Sequence, residues 1–83
     1  MKLDIITPKQ IYFSGEVTSV TLPGTSGFFT VWENHAALIS SLVKGKISFS
    51  VDKKETELNI EGGFAEISKN LVTVCLELVD ERA

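Results

Sequence analysis

Lys46-Ile47-Ser48-Phe49-Ser50-Val51-Asp52 is the stretch on which the fold class turns. Ile47, Phe49 and Val51 alternate with polar neighbours, so the apolar side chains fall on one side of an extended chain. Lys53-Lys54 is a short polar break, and Glu55 to Ile60 resumes the alternation through Leu58 and Ile60. That pattern predicts a hairpin. Beyond it, Gly62-Gly63 punctuates the chain before a strand at Phe64–Ile67, and Lys69-Asn70 reads as another turn. Leu71–Val79 is a long strand with Val72, Val74, Leu76 and Leu78 on one face.

The N-terminal half reads the same way. Lys2–Thr7 is strand-like, and Pro8 takes the second position of a turn over Thr7-Pro8-Lys9-Gln10. Ile11–Phe13 leads to Ser14-Gly15, and Glu16 to Leu22 is rich in the Val and Thr that suit a pleated surface. Pro23-Gly24-Thr25-Ser26-Gly27 is a loop. Phe28–Trp32 and Ala37–Val43 are further strands, joined by Glu33-Asn34-His35. No window carries a capped helical pattern. The expectation is an all-β chain, an antiparallel β-sandwich or flattened barrel of about eight to ten short strands.

Length bounds the organisation. At 83 residues the chain is read as one domain spanning 1–83. A net charge of −3 with scattered lysines lacks the basic stripe of a nucleic-acid binder, so no nucleic-acid partner is expected. Asp4 and Pro8 interrupt what would have to be the apolar run of a signal peptide. The longest apolar stretch, Ala36 to Val43, is far short of the ~20 residues that span a bilayer, so no direct membrane insertion is expected. The lone Cys75 forms no internal disulfide, which fits a reducing compartment.

Charge is unevenly distributed. From Val17 to Val43 the only formally charged side chain is Glu33, and the same region holds Phe28, Phe29 and Trp32. Two readings fit. This half could be a partner surface, since interface centres are depleted in charge and enriched in aromatics. Equally, it could supply the core while the charged half supplies the solvated face.

Catalytic chemistry is missing from the sequence. Gly24-Thr25-Ser26-Gly27 lacks the lysine and helix that cradle a phosphate, so it reads as a turn. One His and one Cys cannot build a structural zinc site. Cys75, between Val74 and Leu76, reads as a small inert hydrophobe, and His35 as a turn residue. No cofactor, no metal and no enzyme activity are expected.

Three stretches together resemble the N-terminal β-sandwich of the epsilon subunit of bacterial F-type ATP synthases. They are Lys2-Leu3-Asp4-Ile5-Ile6-Thr7-Pro8 with Phe13-Ser14-Gly15-Glu16-Val17; Val20 to Gly27 with Val31-Trp32-Glu33-Asn34-His35-Ala36-Ala37-Leu38; and Glu61 to Ile67 with Asn70 to Val74. The resemblance implies a non-catalytic rotor subunit of the central stalk. Such a chain docks on the gamma subunit and the c ring, peripheral to the cytoplasmic face of the bacterial plasma membrane, and couples ion-driven rotation to ATP synthesis. The family commonly adds a C-terminal helical hairpin, which in some members binds ATP. Here Val79-Asp80-Glu81-Arg82-Ala83 is only reminiscent of its opening motif. A short form without ATP binding is therefore expected.

The resemblance implies partner-binding residues around the Asn-His-Ala-x-Leu motif: Phe28, Trp32, Glu33, Asn34, His35, Ala36, Ala37, Leu38 and Ser40. The family usually has a polar residue where Phe28 stands, glycine at Thr30, and prolines at Glu33 and Ala37. Along an extended strand Phe28 and Trp32 share one face and Phe29 and Val31 the other. One pair should fill the core and the other lie near a partner, with Phe28 on the partner side and His35 and Leu38 bordering it. The competing reading is an unrelated sandwich adaptor that binds by strand addition.

Overall fold

The computed structural model describes residues 1–77 of the chain, all of them strand, turn or connecting segment. Its nine strands are β1 (Lys2–Ile6), β2 (Ile11–Glu16), β3 (Ser19–Gly24), β4 (Gly27–Trp32), β5 (His35–Leu42), β6 (Gly45–Val51), β7 (Lys54–Ile60), β8 (Gly63–Lys69) and β9 (Leu71–Leu76). The end of the long C-terminal strand expected to reach Val79, and the tail to Ala83, lie outside the described residues.

Hydrogen-bonded neighbours run β2-β1-β9-β8-β5-β3-β6-β7, with β4 attached to β3. Only Gly24 and Leu42 pair between β5 and β3, so the sheet turns over on itself there. The result is two layers, β2-β1-β9-β8-β5 and β4-β3-β6-β7. Phe13 of the first layer meets Phe49 of the second with ring centroids 4.4 Å apart. The smallest dimension, 19 Å, is what two sheets about 10 Å apart allow once outer side chains are added.

Alternation puts each layer's apolar face inward. Leu3 and Ile5, Val20 and Leu22, Ile47 and Phe49, Ala65 and Ile67, and Val72 and Val74 are all buried, each pair two residues apart on its own strand. No polar side chain is buried among the described residues, so the core stands on apolar packing alone.

The structure differs from the sequence expectation in three places. β2 runs through Ser14-Gly15 to Glu16 instead of breaking there; Ser14 donates to Asp4 Oδ1 at 2.7 Å, which replaces an exposed turn by a cross-strand bond. Pro23, Gly24 and Gly27 belong to strands, and only Thr25-Ser26 turns. β1 and β9 pair parallel, from Lys2 opposite Leu71 to Ile6 opposite Cys75, within an otherwise antiparallel sheet. Local alternation carries no information about strand direction, so pairing between segments far apart in the chain was invisible.

The β6–β7 hairpin turns at Asp52-Lys53, between the paired Val51 and Lys54. Both turn residues have positive φ, 50° and 68°. A two-residue turn of this kind favours Asn-Gly because L side chains resist that backbone region. Lys53→Gly is therefore expected to stabilise the chain by about 0.5–1 kcal/mol, read as a rise in Tm of several degrees.

Candidate functional site

Pairing with β3 fixes how β4 presents its side chains. Val31 lies opposite Val20 and Phe29 opposite Leu22, both towards the core, so Phe28, Thr30 and Trp32 must point outward. Val31 is wholly buried and Phe29 packs against the core, whereas Phe28 is 67% and Trp32 59% exposed. The expected division of the aromatic segment is what the structure shows.

These rings lie on the outer face of the second layer, over an uncharged floor. Ser19 lies opposite Trp32, Thr21 opposite Thr30, and Pro23 opposite Phe28, and the Thr21 and Thr30 hydroxyls are 2.8 Å apart. Ser48 and Ser50 continue the rows across β6. Charge returns at the far side, where Lys46 meets Glu57 at 3.3 Å. Two large apolar groups on a neutral hydroxyl floor can be desolvated without stripping water from an ion.

The remaining candidates do not share this face. Glu33 and Asn34 form the β4–β5 turn, with Asn34 at φ 64°, and the Asn34 N–H donates to Asn70 Oδ1 at 2.9 Å. That bond ties the turn to the Lys69-Asn70 turn of the first layer. His35 opens β5, and its Nδ1 donates to the Ala36 carbonyl at 2.7 Å. Ala36 and Ala37 are exposed, within the register shift between His35 and Leu38. Leu38 pairs with the buried Ile67 and Ser40 with the buried Ala65, so both lie on the core side of β5. Leu38 stands at the rim, 40% exposed. His35 and Leu38 therefore neighbour the turn but do not extend the Phe28–Trp32 face.

A second apolar surface was missed. On the outer face of the first layer Ile11, Ile6, Cys75 and Phe64 form one row across β2, β1, β9 and β8. Ile39 stands beside it on β5, next to Glu66, and is 71% exposed. Ile6, Cys75 and Phe64 of this row line a cleft together with Thr7, Pro8, Gly63, Leu76 and Glu77. Cys75, read from the sequence as a small inert hydrophobe, is half-buried and faces outward. Strand parity held the signal: Ile39 lies between Leu38 and Ser40, Phe64 beside Ala65, and each must face opposite to its neighbours.

Among the described residues no group of His, Cys, Asp and Glu side chains is placed to hold a metal, and no helix is long and apolar enough to cross a membrane. The chemistry available at both surfaces is burial of apolar area against another macromolecule.

Comparison with known proteins agrees with the sandwich. Residues 1–80 match the family model described as ATP synthase, Delta/Epsilon chain, beta-sandwich domain. An ATP synthase epsilon chain of Chlorobium limicola is 48% identical over 77 residues, 92% of this chain and 88% of the relative. An epsilon chain of Leptospira interrogans is 38% identical over 74 residues, 89% of this chain but 58% of the relative. Among solved structures, a chain of the Euglena gracilis mitochondrial ATP synthase, OSCP/F1/c-ring, superposes with a TM-score of 0.84 at 21% identity, covering 89% of this chain and 48% of that one. A chain of the Tetrahymena thermophila mitochondrial ATP synthase central stalk/c-ring gives 0.78 at 13% identity, covering 93% and 63%. The two structures share the fold; at 38–48% identity across nine-tenths of its length, this chain belongs to the ATP synthase delta/epsilon family, as its β-sandwich domain.

Proposed function

We propose that the chain is a central-stalk subunit that docks on the gamma subunit and the c ring and helps transmit ion-driven rotation to ATP synthesis. Membership of an epsilon-chain family makes it a non-catalytic member of the complex. The observation that carries the docking reading is the pair of exposed apolar surfaces on the outer faces of opposite layers. Phe28 and Trp32 stand on one, Ile11, Phe64 and Ile39 on the other. A rotor component held between two partners needs two such surfaces; a monomeric sandwich needs neither. Glu33, Asn34, His35, Ala36 and Ala37 lie at the turn beside the first surface, and Leu38 and Ser40 lie on the core side of the strand that follows. On this reading the chain sits at the cytoplasmic face of the bacterial plasma membrane, held there by its partners.

Affinity purification of the tagged chain from its own cells is expected to recover gamma and the c ring in stoichiometric amounts. Recovery of the intact ATP synthase without this chain, or of this chain without gamma, would sink the proposal. The sequence has no phosphate-loop motif and the described residues hold no metal cluster, so ATP in calorimetry is expected to give no binding heat; micromolar affinity would call for a nucleotide-sensing function instead.

A further inference from the structure

β4 is an edge strand, and its free side is unusually open. Pro23 has no N–H, and its carbonyl accepts from the Val43 N–H at 2.9 Å, directed away from β4. The hydrogen-bonded pairs of β3 and β4 are therefore Gly24–Gly27, Leu22–Phe29 and Val20–Val31, because such pairs alternate with open ones. It follows that the N–H and C=O groups of Phe28, Thr30 and Trp32 point to the free edge. Among the described residues β4 pairs with no strand but β3. Edge strands are normally guarded by charge. β7, which among the described residues pairs only with β6, carries Lys54, Glu55 and Glu57; β4 carries no charge from Gly27 to Trp32.

We propose that the free chain forms a two-fold dimer by antiparallel pairing of β4 with β4 of a second copy, centred on Thr30. The occupant follows from the strand's own sequence. Around that centre Thr30 meets Thr30, Phe28 meets Trp32 and Phe29 meets Val31, each contact occurring twice save the first, as an isologous interface requires. The three residues with outward-directed backbone groups face one another, so every free N–H and C=O finds a partner. Aromatic meets aromatic on the outer face, apolar meets apolar on the inner one, and Glu33 falls opposite Gly27, so no like charges oppose. A register shifted by one residue would set the unsatisfied groups against non-matching ones and lose this pairing. The layer β4-β3-β6-β7 becomes one sheet of twice its strands.

The interface is small, below about 1,200 Å² in total, so half-dimerisation is expected on the order of 0.1 mM. The dimer also covers Phe28 and Trp32, which makes it exclusive with docking through them. The dimer itself does not rest on the docking reading, because the test needs only the isolated chain.

Sedimentation equilibrium from about 10 µM to about 1 mM, with circular dichroism as the folding control, reads the dimer directly. Thr30 is exposed and central, so Thr30→Lys and Thr30→Glu each place two like charges face to face across the two-fold. Each variant alone is expected to be monomeric throughout, and an equimolar mixture to dimerise at least as tightly as wild type. Three outcomes overturn the proposal: a wild-type monomer at every concentration, which leaves the edge to a different strand; single variants that dimerise like wild type; or a mixture that stays monomeric.

Discussion

Gly63→Ala is expected to cost the chain a large share of its folding stability. Gly63 opens β8 opposite Leu76, with φ at 145°. L residues reach that region only at a cost of about 1–3 kcal/mol. The contact is worse than the dihedral. A Cβ there would overlap the Cys75 carbonyl oxygen and lie 3.0 Å from Leu76 Cα, so its three nearest neighbours are all β9 backbone. Backbone cannot swing aside as a flexible side chain can. Relief would require β9 to move, and β9 pairs with both β8 and β1. The combined cost is about 3–5 kcal/mol, against roughly 4–12 kcal/mol for a chain of this size. Gly27→Ala supplies the comparison: its φ is 122°, but a Cβ there meets nothing within 4 Å. It should lose only about 1 kcal/mol. Urea unfolding followed by tryptophan fluorescence checks both, and equal midpoints for the two variants would refute the crowding argument.

Loss of docking is the other large effect. Phe28→Asp and Trp32→Asp are each expected to weaken binding to a gamma–c-ring assembly about 30-fold or more, equivalent to about 2 kcal/mol. Each removes a large apolar group from a neutral surface and puts an unpaired charge where water must leave. Both side chains are more than half exposed and face away from the core, so the fold should tolerate them. Lys53→Glu, at the turn of the β6–β7 hairpin, is expected to change affinity less than threefold, since an exposed charge away from the contact acts only through a screened field. Leu38→Glu belongs to a separate class. Its side chain shares the core side with Ile67, so lost stability is expected before lost docking. Surface-immobilised assembly with soluble variants separates the cases. Wild-type affinity for both folded aspartate variants would remove β4 from the docking surface.

Ile47, Phe49 and Val51 were enough to identify a strand, because a period of two is imposed by the pleat and needs no partner to be read. The same parity separated Phe28 and Trp32 from Phe29 and Val31. It could not say which pair went inside; that followed from Val31 lying opposite Val20 and Phe29 opposite Leu22 in a core already closed. The Asn34-to-Leu38 stretch was read as one site because it carries the Asn-His-Ala-x-Leu motif of the family it resembles. Pairing with β8 instead turned Leu38 and Ser40 towards the core, left Ile39 outside, and tied Asn34 to Asn70 across 36 positions of sequence. The parallel pairing of β1 with β9, the row from Ile11 to Phe64, and the uncharged open edge of β4 have the same origin. Each joins strands that are distant in the chain. Alternation assigns a side chain to one of two faces, but only the sheet's closure over a shared core says what each face meets.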